Sequence, residues 1–189
     1  LCQTVLANEQ VNADGTCDRS GDIVEKRDLE QWFFKITDYA QQLLDDLDDL
    51  DWPERVKIMQ RNWIGRSEGA EFSMQVVDAD GTPHSSGVKV DVFTTRPDTS
   101  FGMTYSVMAP EHPLVDLVVT DDRRSKVAAF VASARKASDV ERMSSEGSLD
   151  KRGVFTGSYV HNPFTKQPVP LYLADYVLMG YGTGAIMAV

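Results

Sequence analysis

Hydrophobic and polar residues alternate most clearly in two short stretches. Phe72, Met74 and Val76 alternate with polar neighbours, and Val88, Val90 and Val92 alternate with Lys89, Asp91 and Phe93. A period of two is that of a half-buried strand. Between them, Asp78-Ala79-Asp80-Gly81-Thr82-Pro83 reads as a turn, so the pair predicts two strands, the second running from Val88 to Thr95. A third strand is expected over Thr104–Ala109, and later short ones near Val154, Tyr159, Val169–Leu173 and Ala185–Val189. Helical spacing appears elsewhere. Leu29, Trp32, Phe33, Ile36, Ala40, Leu43, Leu44, Leu47 and Leu50 predict one helix from Asp28, its cap, to Leu50. A second follows Pro53 with Val56, Met59 and Trp63 on one side; a short one is expected over Pro113–Val119 and a longer one over Arg123–Lys136. Gly65 to Gly69 reads as a linker and Ser144 to Asp150 as a polar loop. Strands interleaved with helices predict a compact, barrel-like α/β domain after the linker. Residues 1–27 are polar and Gly/Asp-rich, a small hairpin with Asp14-Gly15 as its turn.

Composition narrows what such a chain does. With 42% hydrophobic content over 189 residues it supports a real core and a small appendage. The 19 Lys and Arg against 29 Asp and Glu leave a net charge of −10. That balance excludes a general nucleic-acid binder, whose affinity comes from neutralised phosphates. Any RNA is expected to be held at one end by a few placed groups. No apolar run approaches the roughly 18 residues of a membrane span, and no secretory signal opens the sequence. Two cysteines fifteen positions apart make no disulfide framework, so a cytoplasmic location is expected.

The acidic run Asp45–Asp51 lacks the glycine and terminal glutamate of an EF-hand loop and reads as a solvated helix face. There is no G-x-S-x-G elbow and no H-E-x-x-H motif. His84, His112 and His161 stand in separate contexts, each read as a turn or helix-start residue. Gly180-Tyr181-Gly182-Thr183-Gly184 lacks the spacing and lysine of a phosphate loop; three glycines in five residues read as a bulged turn, a pocket wall, or both. The densest chemistry is Thr94-Thr95-Arg96-Pro97-Asp98-Thr99: hydroxyls, a guanidinium and a carboxylate at a strand end. Pro97 fixes its own φ and pushes Arg96 toward an extended conformation, so this run is expected to stay open rather than coil.

That stretch, followed by Phe101-Gly102, Thr104-Tyr105 and Ala109-Pro110-Glu111-His112, resembles the editing insertion of bacterial-type leucyl-tRNA synthetases. The blocks Thr4–Val11, Met59–Ser67, Ala174–Leu178 and Gly180–Val189 resemble the same family, so the likeness covers nearly the whole chain and is weakest between about Thr120 and Lys151. It implies three parts: a degenerate zinc-element-like hairpin over 1–27, a helical linker toward the synthetic domain over 28–68, and the editing domain over 69–189. Cys17-Asp18-Arg19-Ser20 looks like half of a zinc knuckle with Ser20 at the second thiolate's place, and four ligands are not in reach, so a metal-free element is expected. The helix faces carrying Trp32, Phe33 and Trp63 would dock against the synthetic domain.

The resemblance also implies a purpose. A synthetic pocket gains only about 1–3 kcal/mol from one methylene, so similar amino acids are mischarged and a second site must hydrolyse the wrong ester. Thr94 and Thr95 would hold the ester end, the water and the developing oxyanion. Thr99 would exclude leucine, so that Thr99→Ala is expected to cleave correct leucyl-tRNA. Arg96 would meet a phosphate near the terminal adenosine, with Asp98 beside it, and Tyr181, Met187 and Val189 would line the side-chain pocket. Ser100 and Met103 stand where the family has a leucine and a small residue, and both are expected to repack the loop. In the family a segment beyond Val189 carries an aspartate for the substrate's α-ammonium, and without it weak editing is expected. The partners implied are the 3′ end of aminoacylated tRNA(Leu) and the rest of a synthetase chain, the whole acting as a monomer in translation. ATP and Mg belong to a synthetic domain, whose His-x-Gly-His and Lys-Met-Ser-Lys-Ser signatures are not in this sequence, so no cofactor is expected here. Two rival readings are a valyl or isoleucyl editing domain, which typically carries Glu or Trp near Asp98 and lacks Phe101-Gly102, and a non-catalytic module presenting Trp32, Phe33 and Trp63 to a partner.

Overall fold

The computed structural model describes residues 4–25, 27, 30–135 and 151–189. They divide into two compact units, Leu1–Ile64 and Gly65–Val189.

The first unit is lightly built. Its N-terminal element is held by two isolated antiparallel bridges, Val11 with Cys17 and Thr16 with Ile23. The turn between them works as its sequence suggests. The Asp14 carboxylate accepts from the Thr16 hydroxyl at 2.6 Å and its N–H at 3.1 Å, while Gly15 takes a φ of 80°. Cys17 is buried, and the Ser20 hydroxyl turned to its sulfur holds the thiol below its ordinary range. Cys2 lies outside the described residues. Among the described residues no three His, Cys, Asp or Glu side chains gather in one place.

The long helix expected over Asp28–Leu50 does not form as such. Asp28 and Leu29 lie outside the described residues, and 30–35 carry no regular structure. A 3₁₀ turn at Ile36–Tyr39 leads into α1, which is only Ala40–Asp46. Leucine spacing alone overstated the helix. A short helix in water depends on burying its apolar face, and here Trp32, Phe33 and Phe34 are almost fully exposed while only Leu47 is buried. The second expected helix, α2, spans Glu54–Ile64 and leaves Trp63 exposed. Part of the acidic run clips the two helices together: Arg61 reaches Asp48 at 2.6 Å and Glu54 at 2.9 Å. These are exposed surface pairs, which contribute little to stability.

The second unit is a mixed α/β sheet. Its strands are β1 (Ala70–Val77), β2 (Lys89–Thr94), β3 (Tyr105–Met108), β4 (Gly153–His161), β5 (Pro168–Ala174) and β6 (Ala185–Ala188). They lie in the order β2-β1-β4-β5-β3-β6, antiparallel throughout except for the β3–β5 pair. The alternation of Val90 and Val92 with Lys89 and Asp91 sets the β1–β2 register, Met74 opposite Val90 and Phe72 opposite Val92, so the apolar side chains share one face. The sheet is open by its hydrogen bonds, yet its two edge strands, β2 and β6, lie beside each other. That curl is the barrel-like character of the fold. Among the described residues, α3 (Val115–Val118) and α4 (Arg124–Ala134) lie between β3 and β4; Val118 and Val127 join Met74, Val76, Val90, Met108, Val160, Leu171 and Leu173 in the main core.

One strand replaces the two expected near Val154 and Tyr159. The register slips between Phe155 and Tyr159, where Gly157 takes a φ of 94° with no room for a β-carbon beside Thr120. A bulge of this kind interrupts the period-two signal without ending the strand. No helix among the described residues is long and apolar enough to cross a membrane.

Candidate functional site

The threonine-rich stretch begins where β2 ends, at Thr94. Contrary to the open run expected, Pro97–Gly102 coils into a 3₁₀ turn. Pro97 does hold Arg96 out of the helical region, at φ −125° and ψ 65°. Proline is also well suited to the first position of a turn, because the N–H it lacks would have no partner there. The same residue therefore keeps one side extended and starts the coil on the other.

Two hydroxyls are fixed by this turn. The Arg96 N–H donates to Thr94 Oγ1 at 3.0 Å, and Thr99 Oγ1 donates to the Arg96 carbonyl at 2.9 Å. Thr94 Oγ1, as the acceptor, uses a lone pair there and not its own proton. Thr99 has its χ1 locked, so its methyl is a fixed obstacle rather than a swinging one. Thr95 is exposed between them. Arg96 lies on Asp98 in a bidentate pair, at 3.0 and 2.8 Å, and the guanidinium holds the Asp98 carboxyl below its usual range. Both side chains are exposed, so the pair is open to exchange with a ligand anion.

The loop is supported from beneath by residues that sequence reasoning passed over. Buried Asn162, in the β4–β5 turn, donates Nδ2 to the Ser100 carbonyl at 2.9 Å. Phe164 of the same turn stacks on Phe101 with ring centroids 5.1 Å apart. Gly69, read as part of a linker, lies so close to the Thr94 carbonyl that a β-carbon there would sit 2.2 Å from the oxygen. Met103 is buried in the main core. Ser100 is buried too, and its hydroxyl finds no partner.

The second half of the site comes from the other sheet edge. The glycine-rich segment leads into β6, and Gly182, at φ 57°, packs over Phe93 of β2. Val189 touches the loop, its Cγ1 3.0 Å from where a β-carbon of Gly102 would be, and the Thr104 N–H donates to the Ala188 carbonyl at 2.9 Å. Tyr181 is exposed, and Met187 is half-buried against the core. So the fold brings Thr94, Thr95 and Thr99 into the same region as the segment carrying Tyr181, Met187 and Val189. Two cavities, of about 380 and 420 Å³, lie elsewhere: one between the β3–α3 turn and α4, the other across Tyr105, Tyr172 and Tyr176.

His112 proves more central than a helix-start residue. It does cap the turn, Nδ1 accepting from the Leu114 N–H at 3.2 Å. The half-buried ring also lies against the Thr183–Gly184 segment and feels the charge of Asp91, and desolvation pushes its pKa down against both. No local motif could have shown this, because the three partners lie on three separate segments.

These features define a class of domain, a small mixed sheet whose ligand-reading groups sit where its two edge strands meet. The family model described as "Leucyl-tRNA synthetase, editing domain" matches residues 61–189. The leucine–tRNA ligase of Roseiflexus castenholzii is 57% identical over 99% of the chain, and that of Clostridium tetani 53% identical over all of it. Among solved structures, the agnB2 LeuRS of Agrobacterium radiobacter K84, in a ternary complex with tRNA and LeuAMS, matches 97% of the chain with 44% identity and a TM-score of 0.71. The chain belongs to the leucyl-tRNA synthetase editing-domain family. It spans about a fifth of the length of these relatives, 21–22%.

Proposed function

We propose that this chain carries the post-transfer editing site of a leucine–tRNA ligase and hydrolyses mischarged aminoacyl-tRNA(Leu). Residues 69–189 are then the editing domain, 28–68 the linker and 1–27 a zinc-element-like hairpin. The observation that carries the reading is the pair of fixed threonines: Thr94 Oγ1 accepts from the Arg96 N–H at 3.0 Å and so spends no proton there, and Thr99 Oγ1 donates to the Arg96 carbonyl at 2.9 Å, which fixes its methyl. In the reaction a water oxygen bonds to the ester carbonyl carbon, the carbon–ribose oxygen bond breaks, and the ribose oxygen takes the proton. Thr94 and Thr95 donate to the developing oxyanion. A threonine hydroxyl is too weak a base to remove the water's proton; the adjacent ribose hydroxyl relays it, accepting it while giving its own proton to the departing ribose oxygen.

Arg96 exchanges Asp98 for a phosphate at the 3′ end of the tRNA, where its planar donors fit two oxygens. Tyr181, Met187 and Val189 line the side-chain pocket. The surrounding synthetase supplies ATP and Mg chemistry in a monomeric, cytoplasmic enzyme. The test is a chimera in which this chain replaces the matching segment of the Clostridium tetani relative, assayed on norvalyl-tRNA(Leu). Thr94→Val combined with Thr95→Val is expected to lower kcat/KM about 100-fold or more, the scale of losing oxyanion donors. Deacylation unchanged in that variant refutes the assignment.

A further inference from the structure

The two halves of the candidate site sit on the open edges of one sheet, and no strand pairing holds them together among the described residues. One end is β2, which delivers Thr94 and Thr95. The other is the Tyr181–Ala185 segment leading into β6. The β3–α3 turn lies against the second of these, and its His112 packs there. From β2, Asp91, which accepts from the Ser73 hydroxyl, acts on the ring only as a charge. From the glycine-rich segment, the Thr183 carbonyl faces the ring, and a β-carbon on Gly184 would lie 3.2 Å from its Cδ2. Backbone bonds tie the same turn to the same segment: the Ala109 N–H donates to the Gly184 carbonyl at 2.9 Å, and the His112 N–H to the Ala109 carbonyl at 3.1 Å.

We infer that His112 is a positioning residue that pins the glycine-rich pocket wall to the β3–α3 turn and thereby fixes where that wall stands. Its tautomer follows from its bonds. Nδ1 accepts from the Leu114 N–H, so the proton is on Nε2, the nitrogen free to serve the Thr183 carbonyl. Only the neutral ring suits both the Leu114 N–H and the Thr183 carbonyl. A second proton on Nδ1 would set two donors against each other at Leu114. Other charges around it are Asp91 of β2, the neighbouring Glu111, Asp116 of α3, and Arg124 and Arg135 on or at the end of α4, which share the cavity beside it.

The role extends the editing reading, but its test has a readout independent of editing. In the 189-residue chain, amide hydrogen exchange is measured at Ala109 and Gly184 for wild type, His112→Asn and His112→Gln. An asparagine can still accept from the Leu114 N–H, since a side-chain acceptor two residues back is a natural Asx turn, but it is too short to reach Thr183. Glutamine is long enough to reach it. Exchange is expected to quicken about five- to tenfold in His112→Asn, the equivalent of one net hydrogen bond, and to be partly restored in His112→Gln. Wild-type exchange in His112→Asn would reduce the residue to a turn cap and overturn the inference. In the chimera, His112→Asn is expected to raise KM for norvalyl-tRNA(Leu) more than it lowers kcat, and wild type is expected to develop the same defect only at acid pH, below the ordinary imidazole range. If the wild-type chimera cleaves nothing, the editing reading fails while the exchange result still decides whether His112 pins the wall.

Discussion

Replacing Asn162 tests how the threonine loop is held from below. The side chain is 1% exposed and makes three bonds, donating to the Ser100 carbonyl at 2.9 Å and accepting from the Phe164 and Thr165 N–H groups at 2.9 and 3.3 Å. Asn162→Ala removes all three. The Ser100 carbonyl keeps only a long bond from the Met103 N–H at 3.3 Å. At roughly 1 kcal/mol per net bond, and with the turn donors partly recovered by water, the loss is about 2–3 kcal/mol. Asn162→Asp separates the roles. Its carboxylate still accepts from the two turn N–H groups but opposes the Ser100 carbonyl, so about 3 kcal/mol or more is lost at neutral pH. A protonated carboxyl can donate again. Its folded pKa is therefore raised, and the destabilisation is small below the ordinary carboxylate pKa near 3.9 and grows as pH rises through the folded value. The assay is urea unfolding followed by far-UV circular dichroism, because all three tryptophans, Trp32, Trp52 and Trp63, lie in the first unit and would not report on the sheet. If the aspartate variant shows no pH dependence, or matches wild type at pH 8, the Asn162–Ser100 bond does not hold the loop.

Three further outcomes follow from the same geometry. Ser100→Ala removes a buried hydroxyl with no partner and is expected to leave the urea midpoint unchanged or raise it by up to about 1 kcal/mol in stability. Gly157→Ala places a β-carbon 1.8 Å from Thr120 Oγ1 at a φ of 94°, and is expected to cost about 3 kcal/mol or more by the same measurement. His112 has its pKa lowered chiefly by desolvation, so the unfolded chain binds the proton more readily; stability is full above the ordinary value of 6.5 and declines as pH falls below it, a slope that His112→Gln should remove.

Much of the sheet was legible because its strands carry local signals. Val90 and Val92 alternate with charged residues, and the turn before them has aspartates and a glycine where such residues are needed. The first helix was misjudged because leucine spacing records what a face could bury; Trp32, Phe33 and Phe34 bury nothing within the described residues. The site's principal loop was visible as a cluster of chemistry, but its 3₁₀ coil was not, since Pro97 acts oppositely on the residues before and after it. Gly69, His112 and Asn162 went unrecognised for one physical reason. Each gains its role from a contact with a distant segment: Thr94, Thr183 and Ser100 respectively. Nothing within a few residues of any of them records that partner.

The editing proposal turns on Thr99, whose locked methyl it assigns as the obstacle that spares leucine. The measurement is deacylation of leucyl-tRNA(Leu) by the chimera carrying wild-type Thr99, Thr99→Ala or Thr99→Val. Wild type is expected to leave leucyl-tRNA intact. Thr99→Ala should cleave it at least tenfold faster, the scale of one methylene's discrimination, while Thr99→Val, which keeps the bulk and loses the bond to Arg96, should largely preserve the exclusion. Leucyl-tRNA left intact by Thr99→Ala, in a chimera that still cleaves norvalyl-tRNA, would contradict the account.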